Sequence, residues 1–233
     1  MCLARLAPLV LVLLCCGSIA RPLAAVEPAA AGEAGADESG FSPLFDGESL
    51  AGWHGATGSY VIEDNTIVCR PTKGGGNLYT DAEFADFELR FDFRLTPAAN
   101  NGIGLRVPDG GHASTQGLEI QVLDDTAAKY EKLQSYQYHG SVYGIVPAER
   151  GHLAEVGEWN SQVIRYVGDR ITIVLNGQTI VDADLGDVTA AGTADGKDHP
   201  GLQRTRGHLC FCGHGSVVAY RNLRIREIPT AES

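Results

Sequence analysis

GLEIQVLDD, residues 117–125, decides the fold. Successive side chains of a β-strand leave opposite faces, so Leu118, Ile120 and Val122 point one way while Glu119 and Gln121 point the other. One face suits a core, and the other carries an acid and an amide. Two further segments repeat the pattern. In NGIGLRV, residues 101–107, Ile103, Leu105 and Val107 alternate with Gly102, Gly104 and Arg106. In GHLCFCGHG, residues 207–215, Leu209 and Phe211 alternate with His208, Cys210, Cys212 and His214. If these strands share a sheet, Arg106, Glu119, Gln121, His208 and His214 line one polar surface floored by glycines.

Working outward, FADFELRFDFRLTP (84–97) is the clearest strand, with Phe87, Leu89, Phe91, Phe93 and Leu95 on one face and Glu88, Arg90, Asp92 and Arg94 on a solvated one. SYVIEDNTIVCR (59–70) reads as a hairpin turning at residues 63–65, and residues 158–185 read as a meander with turns at Gly168-Asp169 and Asn176-Gly177. Asn-Gly between alternating apolar runs is the strongest short hairpin signal. Residues 126–158 lose periodicity, and a loop that long on a compact domain forms a lid or binding wall. It carries Tyr136, Tyr138, His139 and Tyr143. Residues 187–206 read as another polar loop. The glycine triplet 74–76 lacks the Lys-Ser/Thr and the helix of a phosphate loop, so it reads as a mobile loop. Trp159 and Tyr220 read as packing groups.

With 44% hydrophobic residues and 29 glycines in 233 residues, the chain fits one all-β domain of short strands and tight turns. The predicted class is a two-sheet antiparallel jelly-roll sandwich. A formal charge of −11 argues against nucleic acid as a partner, because phosphate binding needs a basic footprint. The apolar run from Leu6 to Cys16 behind Arg5, followed by small residues, predicts a signal peptide over 1–20, with Ala25 as a later cleavage point. That run is short for a membrane span. No transmembrane span is expected after cleavage, and the product is secreted or periplasmic; a lipid anchor on Cys15 or Cys16 is the other route. Residues 21–39, rich in Ala, Pro, Glu and Gly, predict a disordered linker before a domain over 40–229 and a tail over 230–233. Cys69, Cys210 and Cys212 remain after cleavage, an odd number that points to buried free thiols.

The polar face admits several chemistries. Glu119, Gln121 and Asp124 approach the Glu-x-Asp-x-x-Glu strand of jelly-roll glucanases, but the middle position is an amide and the last is one carbon shorter. Paired-carboxylate glycoside hydrolysis therefore fits poorly. One divalent metal ion is a candidate cofactor, held by Glu119, His139 and His208 or by a neighbouring pair from residues 208–214 together with Glu119 or His139. All four of His208, Cys210, Cys212 and His214 cannot grip one ion, since the outer two sit about 20 Å apart along a strand. Nucleophilic catalysis by Cys212 or Ser141 lacks a defined partner base.

LFDGESLAGW (44–53), residues 75–106, GLEIQVLDD, YHGSVYGIVP (138–147), residues 157–185, residues 199–215 and YRNLRIREI (220–228) resemble, in order, the 3-keto-disaccharide hydrolase domain family. The resemblance covers residues 41–228. It implies a concanavalin A-like lectin/glucanase sandwich that cleaves glycosides oxidised to a ketone at sugar carbon 3. The chain departs from the family where Cys212 stands in place of a common glutamine and Cys210 in place of a small residue. A ketone at carbon 3 acidifies the proton on carbon 2, so one base and one electrophile suffice and the glycosidic oxygen leaves from the enolate. Glu119 or His139 is the candidate base. Arg106, His208 or a bound ion is the candidate electrophile, and Gln121, Asn101, Tyr143, His214 and Asp124 are candidate substrate-binding groups. The expected partner is a carbohydrate, and oligomeric state is left open. The rival is a carbohydrate-binding module that holds glycans without cleaving them. A structural cell-surface domain fits the gathered His, Glu and Arg poorly.

Overall fold

The structure is a computed structural model that describes residues 37–70 and 75–229. The predicted signal peptide, most of the linker, residues 71–74 of the glycine loop and the tail 230–233 lie outside the described residues. No described helix is long and apolar enough to cross a membrane. The described elements run β1 (Ser42–Pro43), β2 (Trp53–Gly55), β3 (Tyr60–Glu63), β4 (Thr66–Cys69), β5 (Gly76–Phe84), β6 (Phe87–Leu95) and β7 (Asn100–Val107). They continue with α1 (Ala113–Gln116), β8 (Leu118–Leu123), β9 (Trp159–Val167), β10 (Arg170–Leu175), β11 (Gln178–Asp184), α2 (Leu185–Ala191), β12 (Gly207–Gly213) and β13 (Val218–Glu227).

Two antiparallel sheets stack face to face. The larger follows the order β11-β10-β9-β6-β13-β4-β3 with β1 added on β13, and the smaller follows β2-β5-β12-β7-β8. The alternations read from sequence set the inner faces. Phe87, Leu89, Phe91, Phe93 and Leu95 of β6 meet Leu118, Ile120 and Val122 of β8 and Leu209 and Phe211 of β12 in one buried cluster. All three predicted turns form: residues 168–169 join β9 to β10, and the other two have Asp64 and Asn65 at φ 46° and 59° and Asn176 and Gly177 at 49° and 82°. Positive φ at both central residues matches the twist of the flanking strands. Tyr220 packs in the core, stacked on Phe211 at 4.1 Å.

Four regions differ from the sequence reading. Residues 187–191, expected to open a loop, belong to the helix α2 that starts at Leu185, because Asp184 caps the amides of Gly186 and Asp187. The outer face of β6 is closed rather than solvated: Glu88 and Asp92 are buried, and Arg90, Arg165 and Arg226 converge on Glu88. The end of the predicted linker is pinned to that face, where Glu38 pairs with Arg90 and Arg224. The fourth difference is in β7. Val107 pairs with His208 but Gly104 pairs with Cys210, so Leu105 and Arg106 together oppose Leu209. That β-bulge holds Arg106 at φ 49° and resets the alternation beyond it. Val107 emerges on the outer face with Tyr79, Ala113, Cys210 and Cys212, while Leu105 stays in the core.

The long segment after β8 is ordered along the edge of the smaller sheet. Its backbone continues the ladder, with Gln121 N–H donating to Ser141 O, Gly140 N–H to Gln121 O and Tyr143 N–H to Glu119 O. It therefore covers the strand that carries Glu119.

Candidate functional site

The outer face of the smaller sheet carries the chemistry, and two glycines make it possible. On β7, Gly102 lies between Gln121 of β8 and Cys212 of β12, and Gly104 lies between Glu119 and Cys210. Adjacent strands are about 4.8 Å apart, so groups on β8 and β12 are separated by about 10 Å of sheet. Side chains on β7 would fill that gap. A Cβ on Gly102 would collide with the Glu119 side chain, and one on Gly104 would come within 2.5 Å of Cys210 Sγ. With both absent, Glu119 leans across β7 and its Oε1 meets His214 Nε2 at 2.8 Å.

Around this pair is an open hollow of about 200 Å³ lined by Asn100, His112, Ser114, Glu119, Gln121, Tyr143 and His214. Gln121 Nε2 donates to Asn100 Oδ1 at 3.0 Å. Tyr143 Oη accepts from Gln137 Nε2 at 2.9 Å, which leaves its own hydrogen free to donate. Glu119 is buried, and its hydrogen bond holds the His214 imidazole above its ordinary pKa, with burial opposing. Cys212 sits behind the carboxylate. Its thiol is pushed well above the usual range by hydrogen bonding with Cys210, then by burial and by Glu119.

Glu119, Gln121, Tyr143 and His214 thus share one hollow, whereas five other candidates lie elsewhere. Arg106 is turned by the bulge toward the larger sheet, where Nη2 meets Asp86 Oδ1 at 3.0 Å and the guanidinium lies 3.6 Å from the Tyr166 ring centre. Its other N–H groups donate to the carbonyls of Ala85, Gly168 and Arg204. His139 is tucked into the interior, stacked on Phe93 at 5.0 Å, with Nδ1 accepting from Leu123 N–H. Burial lowers its pKa to about 4, so it is neutral and out of reach of the hollow. Asn101 is fully buried beside Cys69, because a strand that sends Ile103 inward sends Asn101 inward too. Asp124 closes a turn, accepting from Ala98 N–H at 2.6 Å and from the Thr126 hydroxyl at 2.6 Å.

His208 is on the correct face but at the far side of the thiols. Its Nδ1 donates to Thr80 O at 2.7 Å, and its ring abuts those of His54 and Tyr79. His54, which the sequence reading passed over, bridges Asp81 at 2.8 Å and Asp109 at 3.0 Å. These bonds raise its pKa and tie the β7–α1 connection to β5. Among the described residues no three His, Cys, Asp or Glu side chains converge as a metal centre requires. The donor set Glu119, His139 and His208 is dispersed and does not fit a divalent ion.

A larger cavity of about 630 Å³ lies beside Arg106, Asp86, Asp169 and Arg204. Size alone does not assign chemistry to it: Arg106 already has a protein acceptor for every nitrogen, and no acid–histidine pair faces the space. The smaller hollow holds the group of reactive type. Three of its walls were missed from sequence. Asn100 was legible, since the alternation that buries Asn101 exposes its neighbour. His112 is the N-cap of α1 and Ser114 lies in that single turn of helix, which is too short for a period to mark an inward direction.

Comparison with known proteins gives a consistent answer. The profile of the 3-keto-alpha-glucoside-1,2-lyase-like domain matches residues 40–226. A 3-keto-disaccharide hydrolase of Bacteroides thetaiotaomicron is 23% identical over 229 aligned residues, covering 82% of this chain and 79% of that protein. A crystal structure from Parabacteroides distasonis, of a protein provisionally described as a glycosyl hydrolase, superposes with TM-score 0.72 at 27% identity, covering 81% of this chain and 99% of that one. A Bacillus subtilis protein with a galectin-like fold superposes with TM-score 0.53 at 13% identity, covering 80% and 94%, and shares the sandwich alone.

Proposed function

From the premise that the chain belongs to the 3-keto-alpha-glucoside-1,2-lyase-like domain family, we propose that it cleaves glycosides bearing a ketone at carbon 3, with Glu119 as base. At the coarse level the relatives support a hydrolase of the glycosyl-hydrolase type. The observation that carries the finer reading is the 2.8 Å contact between Glu119 and His214 in a hollow with no second carboxylate among the described residues of its wall. Ordinary retaining or inverting hydrolysis needs two carboxyl groups. Chemistry next to a ketone needs one.

Glu119 takes the proton from carbon 2, and the electron pair moves into an enolate on the carbon 3 oxygen. The Tyr143 hydroxyl donates to that oxygen, and Gln121 and Asn100 orient neighbouring hydroxyls. The enolate then expels the glycosidic oxygen from carbon 1. His214 supplies the proton that oxygen needs. Its proton is held by the negative charge of Glu119, so neutralising Glu119 in the first step makes His214 a stronger acid in the second. Water adds at carbon 1 and returns a proton to His214, while Glu119 gives its proton back to carbon 2. The sum is hydrolysis.

Incubation of the purified protein with a 3-keto-disaccharide and with its unoxidised parent tests this. The expected result is cleavage of the keto sugar alone, with deuterium appearing at carbon 2 in heavy water. Cleavage of neither sugar, with binding retained, makes the protein a carbohydrate-binding module. We also propose, from the signal-peptide pattern of the N-terminal residues, that the enzyme works outside the cytoplasm. Release of a chain shortened by 20 to 25 residues into the periplasm or medium checks that.

A further inference from the structure

We propose that Cys210 and Cys212 form a two-thiolate binding site for a soft monovalent cation of the Cu(I) class. Residues two apart on a strand are separated by about 6.8 Å along it, yet these sulfurs lie 3.8 Å apart, so both side chains lean toward each other. A metal held by two thiolates at about 2.3 Å each needs sulfurs about 3.8 Å apart at a tetrahedral angle and about 4.6 Å when linear. The pair therefore stands at the bent end of that range and opens by up to about 0.8 Å as a two-sulfur ion approaches linear. Gly104 makes the arrangement possible, because a Cβ there would sit against Cys210 Sγ.

The surroundings select the ion. Tyr79, Val107 and Ala113 close over the sulfurs, and no described trio of ligating side chains offers a third donor. The Glu119 carboxylate beside Cys212 is engaged by His214, so a four-coordinate cation would be short of ligands there, whereas thiolate pairs suit Cu(I). Entry releases both thiol protons, so binding tightens as pH rises. The site stands whatever reaction Glu119 performs.

The test is anaerobic titration of the reduced full-length protein with Cu(I) against a coloured Cu(I) chelator. One equivalent should be retained, X-ray absorption should show two sulfur neighbours at about 2.3 Å, and Cys210→Ser and Cys212→Ser should each lose the equivalent. Cys69→Ser, which leaves the pair intact, should keep it. Melting curves of the three variants separate loss of binding from loss of fold. Should a serine variant unfold, alkylation of the native thiols protected by prior Cu(I) loading gives the same answer. A wild-type protein that yields all its copper to the chelator, a shell of nitrogen and oxygen only, or an equivalent retained by the Cys210→Ser, Cys212→Ser double variant overturns the proposal. So does purification with the two cysteines already joined as a disulfide that resists mild reductant.

Discussion

The two sheets present outer faces of opposite character. On the larger sheet, long side chains lie down and neutralise one another: Arg90, Arg224 and Arg226 pass over the Phe41 ring, Arg94 and Arg221 lie against the Trp159 ring, and Glu88 collects three guanidinium partners. On the smaller sheet the middle strand is stripped to glycine, and acid, imidazole and thiols face each other across the gap. Charge in the first case is satisfied by the fold. In the second it is held in reserve for something else. Catalytic capacity here follows from what one strand omits.

The contrast is sharpest at Glu119. Replacing it with Gln should lower kcat/KM for a 3-keto-disaccharide by about 10² to 10⁴, the range for a general base, while heat stability changes little. Gly102→Ala should approach that loss without touching an ionisable group, since the added methyl meets the Glu119 side chain. Its overpacking should destabilise by about 1 to 3 kcal/mol in chemical denaturation.

Arg106 tests the opposite claim. Its ion pair with Asp86 is 3% exposed on the arginine side. Arg106→Ala should cost about 3 to 5 kcal/mol of stability by breaking a buried ion pair, with KM for the keto sugar unchanged in whatever folds. A rise in KM alone would return Arg106 to the site.

A pH series reads the hollow directly. The folded pKa of His214 lies above its ordinary 6.5, so its contribution to stability is complete below 6.5 and fades as pH rises through the folded value. The difference in denaturation free energy between wild type and His214→Asn should shrink across that window. Glu119→Gln should abolish the pH dependence of that difference. The smallest effect belongs to the back face: Arg165→Ala removes a half-exposed partner 3.7 Å from Glu88 and should change stability by under about 1 kcal/mol and turnover not at all.

How much of this was written in the chain depends on where periodicity holds. β6, β8 and β12 keep strict alternation, and their inner and outer residues are where the pattern puts them. β7 keeps it only to Leu105. A bulge adds one residue without changing any local hydrophobic signal, so Arg106 and Val107 exchange faces unannounced. Asn101 was misplaced for a simpler reason: the same alternation, applied consistently, selects Asn100. His139 lies on an aperiodic segment, and only the tertiary fold shows its ring against Phe93. The helix α2 had a visible cap in Asp184, but its seven residues are too few to display a helical period. Glu119 was legible because strict alternation in β8 puts its carboxylate, with Gln121, on the face opposite Leu118, Ile120 and Val122.

The segment that runs along β8 has an effect beyond shaping the hollow. By satisfying the backbone of residues 119–121, it leaves the functional sheet without a long free margin, and the opposite margin, β2, is three residues short. An incoming chain has little ladder to extend. Concentrated solutions should therefore be spared fibrous assembly seeded from this sheet, and the open layout of the hollow carries no penalty in self-association.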